Sequence, residues 1–498
     1  MTTFSRTVEY LARVCGARLL GARQAEVRAI THDSRAAGPG TLFAALRGET
    51  TDGHKYIEAA LASGATAILA EALPEGLALP EGRSLLLVED SREALAQVAA
   101  AFYGYPASQV TLVGLTGTNG KTTSTYIVQS IAKAAGLLAG RIGTLGAEGP
   151  GGQLYKGLTT PEIDDLQRLL WQIGEQGARL VAMEVSAHAS SRRRIAAVAY
   201  DALVFTNLTQ DHLDYYGTME AYGQAKRELF TNPEYHKPGF VPVLNLDDPF
   251  GASLAQELEP GALTYSLEEQ WADYLLEEAR PVGKGAEATF ILRGGERLTA
   301  LVPLFGRFNL YNATGAVAVC HSLGMSPEAI AAGLAATPQV PGRMERVGER
   351  PAVLVDYAHT EDGLRQVLTA VKGSTPGRLL VVFGCGGDRD RTKRPKMGAV
   401  ASELADLAVV TSDNPRSEAP EAIVEEIKTG MDLSRTVTQV DRRQAIFEAL
   451  ARAHPEDVVV IAGKGHEEGQ IFKDKTVPFD DREVAREALA ALKGELHE

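Results

Sequence analysis

One segment limits the possible folds of this chain more than any other, the run TLVGLTGTNGKTT over Thr111–Thr123. It is typical of a β-strand, a glycine-rich loop and the start of a helix. Gly117 and Gly120 let backbone N–H groups turn towards a phosphate, and Lys121 supplies positive charge. Thr122 stands where a hydroxyl would ligate Mg²⁺. One glycine of the usual spacing, five positions before Gly120, is a leucine here. The segment therefore predicts a nucleoside triphosphate site, with a plain glycine turn as the alternative, and it leaves the reaction open.

Short apolar runs recur along the chain between segments with helical periodicity. Runs of this kind that alternate with helices are typical of parallel α/β sheets. We therefore predict an α/β fold, in which ligands bind at the carboxyl ends of the strands. The runs are Val110–Leu115, Leu180–Glu184, Ala202–Thr206, Val241–Asn245, Val353–Asp356, Leu379–Phe383, Leu407–Thr411 and Val458–Ala462.

Two turn-rich stretches divide the chain. Tyr103–Ser108 separates a helical pattern from an apolar run, and Ala336–Gly342 follows an alanine-rich helical pattern. We predict three domains from these boundaries: an N-terminal α/β domain over 1–104, a central domain over 105–338, and a C-terminal domain over 339–498. The central domain would be a P-loop mononucleotide-binding α/β domain with a parallel sheet, and the C-terminal one a Rossmann-like α/β domain.

Composition excludes several classes of partner. The net charge of −14 disfavours nucleic acid and anionic membranes, because binding to them needs a basic surface. The apolar runs are too short for a membrane helix, and the first residues lack the features of a signal peptide. Three cysteines, far apart, suggest neither a disulfide framework nor a zinc site. We expect a cytoplasmic, monomeric protein without integral membrane association.

Three residues of the middle segment are candidate ligands near the glycine loop. Glu184 ends an apolar run, and His212 follows another one. Lys226 comes four residues after Tyr222, so both belong to one side of a predicted helix. Taken singly, each is more often a structural residue than a ligand. Together with a Mg–nucleotide loop they predict a metal site, in which Lys226 makes sense as a carbamate that offers oxygen ligands.

A series of motifs along the whole chain resembles the Mur ligases of peptidoglycan synthesis. The N-terminal stretch HDSRAAGPGTLFAALRGETTDGHKYI resembles the branch of the family that adds the third amino acid of the peptide. The other motifs occur in the order of the family. They are GTNGKTT, TTPE, EVSAH, TNLTQDHLDYYGTMEAYGQAK, GRFNLYNATGA, VPGRME, VDYAHT, GCGGDRDRTKRP, SDNPR and AGKGHE.

The resemblance implies the role of each matched residue. Lys121, Lys226, His212 and Glu184 would be catalytic, and Lys226 would carry CO₂ as a carbamate. Thr122, Glu184, His212 and Lys226 would hold Mg²⁺. ATP would be bound by Gly117, Thr118, Asn119, Gly120, Lys121, Thr122, Thr123, Asn312, Arg343, Asp356 and His359. The UDP-sugar peptide would face Ser34, Glu49, Thr50, Thr51, Thr159, Thr160, Ser186, Arg192 and Arg194. The incoming amino acid would face Arg389, Asp413, Asn414, Pro415, Arg416, Gly463 and Glu467.

The resemblance also assigns a role to each predicted domain: UDP-sugar binding to 1–104, ATP binding and ligation to 105–338, and amino-acid binding to 339–498. The chain departs from the family pattern at a few positions, which are Leu158, Ala187, Arg192, Gln210 and Glu361. Because these departures leave the phosphate loop and Lys226 intact, they affect details of substrate contact and not the reaction class.

The implied reaction is ATP-dependent amide formation through an acyl phosphate in cell-wall biogenesis. The substrates would be a UDP-N-acetylmuramoyl dipeptide and a diamino acid. Arg416 favours meso-diaminopimelate, because a planar guanidinium matches the second carboxylate, which lysine and ornithine lack. L-Lysine and L-ornithine remain the alternatives. The structural alternative for Arg416 is a salt bridge to Glu418 or a helix cap. More remote possibilities are a folylpolyglutamate-type ligase and a P-loop switch.

Overall fold

A computed structural model describes residues 4–48, 51–282, 285–373 and 375–495 of this chain. The chain divides into two compact units. The first unit consists of Met1–Thr116, Gly136–Val204 and Ala225–Pro242. The second consists of Gly117–Ala135, Phe205–Gln224 and Val243–Glu498. Within the described ranges, no helix is both long and apolar enough to cross a membrane.

Strands occur along most of the length of the chain. In chain order they are β1 (Arg6–Thr7), β2 (Arg18–Gly21), β3 (Glu26–Val27), β4 (Ala29–Thr31), β5 (Thr41–Ala44), β6 (Ala67–Ala70), β7 (Ser84–Leu87), β8 (Thr111–Thr116), β9 (Ala139–Gly143), β10 (Gly146–Gly149), β11 (Gly152–Tyr155), β12 (Leu180–Glu184), β13 (Tyr200–Phe205), β14 (His236–Asn245), β15 (Leu263–Ser266), β16 (Tyr274–Val282), β17 (Gly285–Ile291), β18 (Arg297–Val302), β19 (Glu345–Glu349), β20 (Ala352–Asp356), β21 (Leu379–Phe383), β22 (Leu407–Val410), β23 (Thr436–Thr438), β24 (Val458–Ala462), β25 (Gly469–Ile471) and β26 (Thr476–Pro478).

The helices alternate with these strands. They are α1 (Val8–Val14), α2 (Ile57–Ala62), α3 (Ser91–Phe102), α4 (Lys121–Ala134), α5 (Ile163–Glu175), α6 (Ala187–Ser191), α7 (Leu213–Tyr216), α8 (Met219–Thr231), α9 (Pro249–Leu258), α10 (Arg307–Ser322), α11 (Pro327–Ala335), α12 (Glu361–Lys372), α13 (Lys393–Leu404), α14 (Pro420–Lys428), α15 (Arg442–Arg452) and α16 (Asp481–Glu495). Short 3₁₀ helices cover Ser34–Ala36, Gly53–Tyr56, Pro106–Gln109, Pro233–Tyr235 and Leu433–Arg435.

The first unit contains a five-stranded sheet in the order β2-β7-β6-β5-β4. Strands β4 to β7 are parallel, and β2 pairs with β7 in antiparallel fashion. Helices α1 and α3 bury an apolar side against one face of this sheet, with Leu11, Leu95 and Val98 in the core. Helix α3 begins where the Asp90 carboxylate accepts the backbone N–H groups of Arg92 and Glu93, at 2.8 and 2.9 Å.

The same unit contains the parallel strands β9, β12 and β8, which pair in that order. Buried apolar residues fill β12 and β8, as expected for strands that are covered on both faces. Because these strands are parallel, their carboxyl ends lie at one edge, where Glu184 ends β12. Glu184, one of the predicted metal ligands, therefore lies at this edge.

The second unit contains a six-stranded sheet in the order β19-β20-β24-β21-β22-β23. All its strands are parallel except β19. Helices α12, α13 and α14 cover one face, and α15 and α16 cover the other. This doubly covered parallel sheet is the Rossmann-like arrangement that the apolar runs after position 339 predicted.

The α/β fold class is confirmed. Each predicted apolar run corresponds to a strand, and the predicted and observed carboxyl ends lie within two residues of each other. The sequence analysis missed the antiparallel strands β16, β17 and β18 in the second unit. In β18, buried and exposed residues alternate, which is the pattern of a strand with one covered face. The three-domain boundaries stay predictions.

Candidate functional site

The glycine loop between β8 and α4 has the backbone that its sequence predicts. Gly117 and Gly120 have φ values of 146° and 90°, which side chains rarely tolerate. A Cβ at Gly120 would lie 2.2 Å from Oδ1 of Asn312, so no larger residue fits there. Helix α4 begins directly at Lys121, so the positive end of its dipole and its first backbone N–H groups lie at the glycine loop, an arrangement that suits an anion.

The predicted nucleotide residues of the second unit surround the start of α4. The Lys121 ammonium donates to the carbonyl oxygens of Gly117 and Thr118, both at 2.8 Å. Arg343 donates to the Thr122 hydroxyl at 3.2 Å and lies 4.3 Å from the centre of the Tyr357 ring. Two cationic side chains and a helix N-terminus thus meet at one place, which suits a polyphosphate.

A second loop braces the glycine loop, and the sequence analysis did not assign roles to its residues. The Thr206 hydroxyl donates to the carbonyl oxygen of Asn119 at 2.7 Å, and the Asn207 amide oxygen accepts the Asn119 N–H at 2.9 Å. The Thr209 N–H donates to the Thr118 hydroxyl at 3.0 Å. All three bracing residues belong to the motif TNLTQDHLD, so this motif is the sequence feature that could have identified them.

The two predicted histidines of the second unit share one carboxylate. Nε2 of His212 lies 3.4 Å and Nε2 of His359 lies 3.7 Å from Oδ2 of Asp211. Burial alone would raise the pKa of Asp211, but the contact with His359 and the nearby positive charges hold that pKa well below its usual value. Asp211 is therefore an anion between two imidazoles, and the sequence analysis missed it.

The predicted residue Asp356 orients the chain at the end of β20. Its carboxylate accepts the backbone N–H groups of Met344 and Ala358, both at 2.7 Å. Asp356 thereby ties the loop that carries Arg343 to the loop that carries His359. Asn312, on α10, donates to Oδ1 of Asn309 at 3.0 Å.

In the first unit, Glu184 organises the predicted substrate residues. Its carboxylate accepts the N–H of Thr144 at 2.8 Å and the Thr144 hydroxyl at 3.0 Å. The Thr144 hydroxyl also lies 3.1 Å from that of Thr159. The Thr160 hydroxyl donates to the Glu184 carbonyl at 2.9 Å and accepts the Ser186 N–H at 3.1 Å. Four predicted site residues thus meet, and Thr144, which was not predicted, links Thr159 to Glu184.

The other predicted substrate residues of the first unit have different surroundings. Arg194 pairs with Glu162 at 2.8 Å, and Arg192 follows helix α6 directly. Ser34 begins a 3₁₀ turn that the Asp33 carboxylate caps. Thr51 is exposed, whereas Glu49 and Thr50 lie outside the described residues.

Lys226 occupies a buried position on α8. Its exposed fraction is 1%, equal to that of Tyr222, so both lie on the covered side as their spacing predicted. Burial of a free ammonium is costly unless other groups compensate for the charge. Among the residues that the structure describes, no group of three or more His, Cys, Asp or Glu side chains could hold a metal ion. Thr122 in the second unit and Glu184 in the first each carry an oxygen donor of the kind that Mg²⁺ takes, and this ion uses few protein ligands and keeps several waters.

The predicted amino-acid residues lie at the carboxyl ends of β22 and β24. Asn414 donates to Oε2 of Glu467 at 2.7 Å. The fully buried Lys464, which the sequence analysis missed, donates to Asn414 and Glu467 at 2.9 Å each. Gly463 has a φ of 117°, and a Cβ there would lie 2.6 Å from Oδ2 of Asp413. The two strand ends therefore form one cluster of alternating charge.

Arg416 does not pair with Glu418, which was the structural alternative. It donates to the Gly387 carbonyl at 2.9 Å, whereas Glu418 pairs with the buried Arg394 at 2.8 Å. The hydrogen bonds from Arg394 lower the pKa of Glu418 to about 2. Arg389 is exposed, and its guanidinium donates to the Asp388 carbonyl at 2.9 Å.

Two departures from the family pattern line the same cavity in the second unit. Gln210 donates to Asp390 at 2.9 Å and accepts from Lys396 at 2.8 Å. Glu361 begins α12. The cavity is lined by Gln210, Glu361, Asp362, Arg365 and Lys393.

Comparison with protein families gives matches along most of the chain. Residues 26–103 match the family described as Mur ligase, catalytic domain. Residues 115–320 match the Mur ligase middle domain, and residues 342–465 match the Mur ligase glutamate ligase domain.

Several curated proteins are similar over almost their whole length. The UDP-N-acetylmuramoyl-L-alanyl-D-glutamate–2,6-diaminopimelate ligase of Gloeobacter violaceus is 46% identical over 471 residues, which are 93% of this chain and 94% of that protein. The protein of the same name from Geobacter metallireducens is 42% identical over 97% of this chain and 98% of its own. A solved structure with this name superposes with a TM-score of 0.67 and 31% identity, over 98% of this chain and 99% of the other. MurF from Acinetobacter baumannii, at 20% identity and a TM-score of 0.72 over 99% of this chain and 100% of its own, shares the fold.

Proposed function

This chain belongs to the Mur ligase family, and we propose that it is the ATP-dependent ligase that adds meso-diaminopimelate to UDP-N-acetylmuramoyl-L-alanyl-D-glutamate in peptidoglycan synthesis. The observation that carries the proposal is the agreement of the relatives in name, at 40–46% identity over more than nine-tenths of the chain. The cluster at the ends of β22 and β24 supports it. The folylpolyglutamate-type alternative rests on structures of 18–20% identity, which share the fold alone.

The glycine loop would bind the phosphates of ATP. Backbone N–H groups at the start of α4, with Lys121 and Arg343, would stabilise the charge that spreads over the transferring phosphoryl group. When bound, Mg²⁺ would neutralise charge on the phosphate oxygens, held by Thr122, Glu184, His212 and carbamylated Lys226. Asn312 would face the adenine, and Asp356 and His359 would lie at the nucleotide.

The reaction consists of two transfers. The terminal carboxylate of the dipeptide attacks the γ-phosphoryl group of ATP, which gives an acyl phosphate and ADP. The amine of the incoming amino acid then attacks the acyl carbon, and phosphate leaves as the amide bond forms. Thr159, Thr160, Ser186, Arg192 and Arg194 would hold the UDP-sugar peptide, with Ser34, Glu49, Thr50 and Thr51 at the nucleotide sugar.

Arg416 and Glu467 would select the amino acid. Glu418 pairs with Arg394 and not with Arg416, so the Arg416 guanidinium suits the distal carboxylate of meso-diaminopimelate. Glu467 would bind an ammonium group, and Asn414 and Lys464 hold its carboxylate in place. Arg389, Asp413, Pro415 and Gly463 complete the proposed site. The cytoplasmic location and monomeric state stay predictions.

A competition assay tests the proposal. The enzyme is given ATP, Mg²⁺, the UDP-linked dipeptide and equimolar meso-diaminopimelate, L-lysine and L-ornithine, and the product is identified by its mass. We expect meso-diaminopimelate in nearly all of the product. A product that contained only lysine or ornithine would overturn the amino-acid assignment and leave the ligase class intact. Arg416→Ala should lower the preference for meso-diaminopimelate over L-lysine.

A further inference from the structure

A fully buried ion pair lies behind the proposed amino-acid site. Arg442 and Asp481 both have side chains with no exposed surface. Nε of Arg442 donates to Oδ1 of Asp481 at 2.8 Å, and Nη2 donates to Oδ2 at 2.7 Å. The two residues begin α15 and α16, the helices on one face of the six-stranded sheet. Such a bidentate pair fixes the plane of the guanidinium.

The remaining donors of this guanidinium reach two different strand ends. Nη1 of Arg442 donates to the carbonyl of Ser412 at 3.3 Å, and Nη2 donates to that of Ala462 at 3.0 Å. Ser412 directly precedes the DNPR motif, and Ala462 directly precedes the GKGHE motif. The two strands are not neighbours, because β21 lies between β22 and β24 in the sheet. Arg442 thus links the two loops directly. The hydrogen bonds between strands connect these loops only through the intervening strand β21.

The charge of Arg442 also faces the site. Burial alone would lower the pKa of Arg442, but Asp481, with smaller contributions from the carboxylates of Asp413 and Glu467, raises it. Asp413 is itself buried, and in the described part of the chain its Oδ2 atom has no hydrogen-bond partner. The guanidinium of Arg442 and the carboxylate of Asp413 therefore attract each other within the site.

We propose that Arg442 and Asp481 are positioning residues that set the separation of the Asp413–Arg416 and Gly463–Glu467 segments for the amino-acid substrate. This inference rests on the proposed function of the same site. Neither residue would touch the substrate. Their effect would pass through the Ser412 and Ala462 carbonyls, and small displacements of groups that position a substrate are known to have large kinetic consequences.

The test compares two conservative variants of the full chain, Arg442→Lys and Asp481→Asn. Lysine keeps the charge but cannot make the forked contacts to two carbonyls and a carboxylate. We expect the KM for meso-diaminopimelate to rise about tenfold or more in both variants, while the KM values for ATP and the UDP-linked dipeptide stay within about twofold. Melting curves check that the variants are folded.

A matched control exists at the opposite edge of the same sheet. Arg378 precedes β21, donates from Nε and Nη2 to Oδ2 of Asp457 at 3.1 and 2.8 Å, and donates to the Arg452 carbonyl at 2.7 Å. Arg378→Lys removes contacts of the same kind, to a carboxylate and a carbonyl, far from the carboxyl ends of the strands. It should leave the KM for meso-diaminopimelate unchanged.

The possible failures are distinguishable. Wild-type enzyme that formed no UDP-linked product would refute the proposed function. Normal wild-type activity, with equal changes in all three KM values or with none, would overturn the positioning role. Loss of the cooperative melting transition in both variants would make the pair a requirement for folding and would also overturn it.

Discussion

Lys226 is the residue for which we propose a chemical modification, a carbamate. Its side chain is 1% exposed on the covered side of α8, and an ammonium at such a position would repel a nearby Mg²⁺ ion. A carbamate reverses the charge and offers oxygen ligands. We predict that Lys226→Ala abolishes turnover and that millimolar acetate or bicarbonate restores part of it.

Spectroscopy gives a readout for Lys226 that does not depend on turnover. Enzyme equilibrated with ¹³C-bicarbonate should show a carbamate carbon resonance that is missing from Lys226→Ala. Sodium chloride at the same ionic strength is the control for the rescue. Full activity in Lys226→Arg, which cannot form the carbamate, would refute the prediction.

The contact of His32 with Asp164 predicts a pH dependence of stability. Its Nδ1 atom lies 2.7 Å from Oδ1 of Asp164, and its backbone N–H donates to Oδ2 at 3.1 Å. The side-chain hydrogen bond to Asp164 raises the pKa of His32 from 6.5 to about 9. Since the folded state holds this proton more tightly, the stabilisation is complete below about pH 6.5 and is lost as the pH rises through about 9. The shift corresponds to at most about 3 kcal/mol.

We therefore predict that His32→Gln lowers the melting temperature most at pH 6 and much less at pH 9.5. Differential scanning calorimetry of both proteins across this range measures the difference. His54→Gln is a control, because His54 also contacts an aspartate, Asp52, at 2.7 Å. A difference between wild type and His32→Gln that did not change with pH would contradict the assignment.

At the scale of elements, the loop that follows β21 combines glycines with a dense set of charges. Gly384 and Gly387 have no room for side chains, since added Cβ atoms would lie 2.3 Å from the Thr411 carbonyl oxygen and 2.0 Å from the Pro415 carbonyl oxygen. This close packing fixes the loop against the proposed amino-acid site. A loop that served only as a solvated surface would not need such contact.

Two arginines of this loop have different surroundings, and we predict different roles for them. Arg389 is exposed beside Arg416, whereas Arg391 pairs with Glu426 on α14. Arg389→Ala should raise the KM for the amino acid about tenfold, because a charged contact with a carboxylate of that amino acid would be lost. The KM for ATP should change little. Arg391→Ala is the matched control and should leave both KM values nearly unchanged. Equal effects of Arg389→Ala on both KM values would favour a surface role.

At the scale of the whole molecule, an acidic chain presents local groups of cations to anionic ligands. The net charge is −14, yet Lys121 and Arg343 meet at the glycine loop, and Lys464, Arg416 and Arg442 meet at the end of the six-stranded sheet. Local charge rather than net charge determines the binding of small anions. Local groups of cations of this kind suit small anionic ligands.

A phosphate-release assay distinguishes a ligase from a P-loop switch. With ATP and Mg²⁺ alone we expect little release, because the γ-phosphoryl group needs the acceptor carboxylate of the dipeptide. Addition of the UDP-linked dipeptide and meso-diaminopimelate should start turnover, with one phosphate released for each amide formed. Lys121→Ala, which lacks the loop cation, should be inactive in both cases. Rapid hydrolysis of ATP without an acceptor would contradict the ligase assignment.

The sequence by itself determined the local structure and the family. Apolar runs predicted β12, β21 and β24 to the residue, because the pattern of a buried strand is written in consecutive positions. The glycine loop was equally predictable, since its conformation requires glycine at Gly117 and Gly120. Motifs in family order indicated the reaction class, which the comparisons support.

Only the tertiary structure decided which side chains meet. Thr144 lies 40 positions from Glu184, and Arg442 lies 30 from Ser412 and 20 from Ala462. Such contacts depend on the order of strands in a sheet, where β24, the last strand of its sheet in the chain, lies between β20 and β21. No local pattern encodes that order, because the same buried strand can occupy any central position. Only the tertiary structure, which brings the strand ends together, therefore identified the roles of four residues: Thr144, Asp211, Lys464 and Arg442.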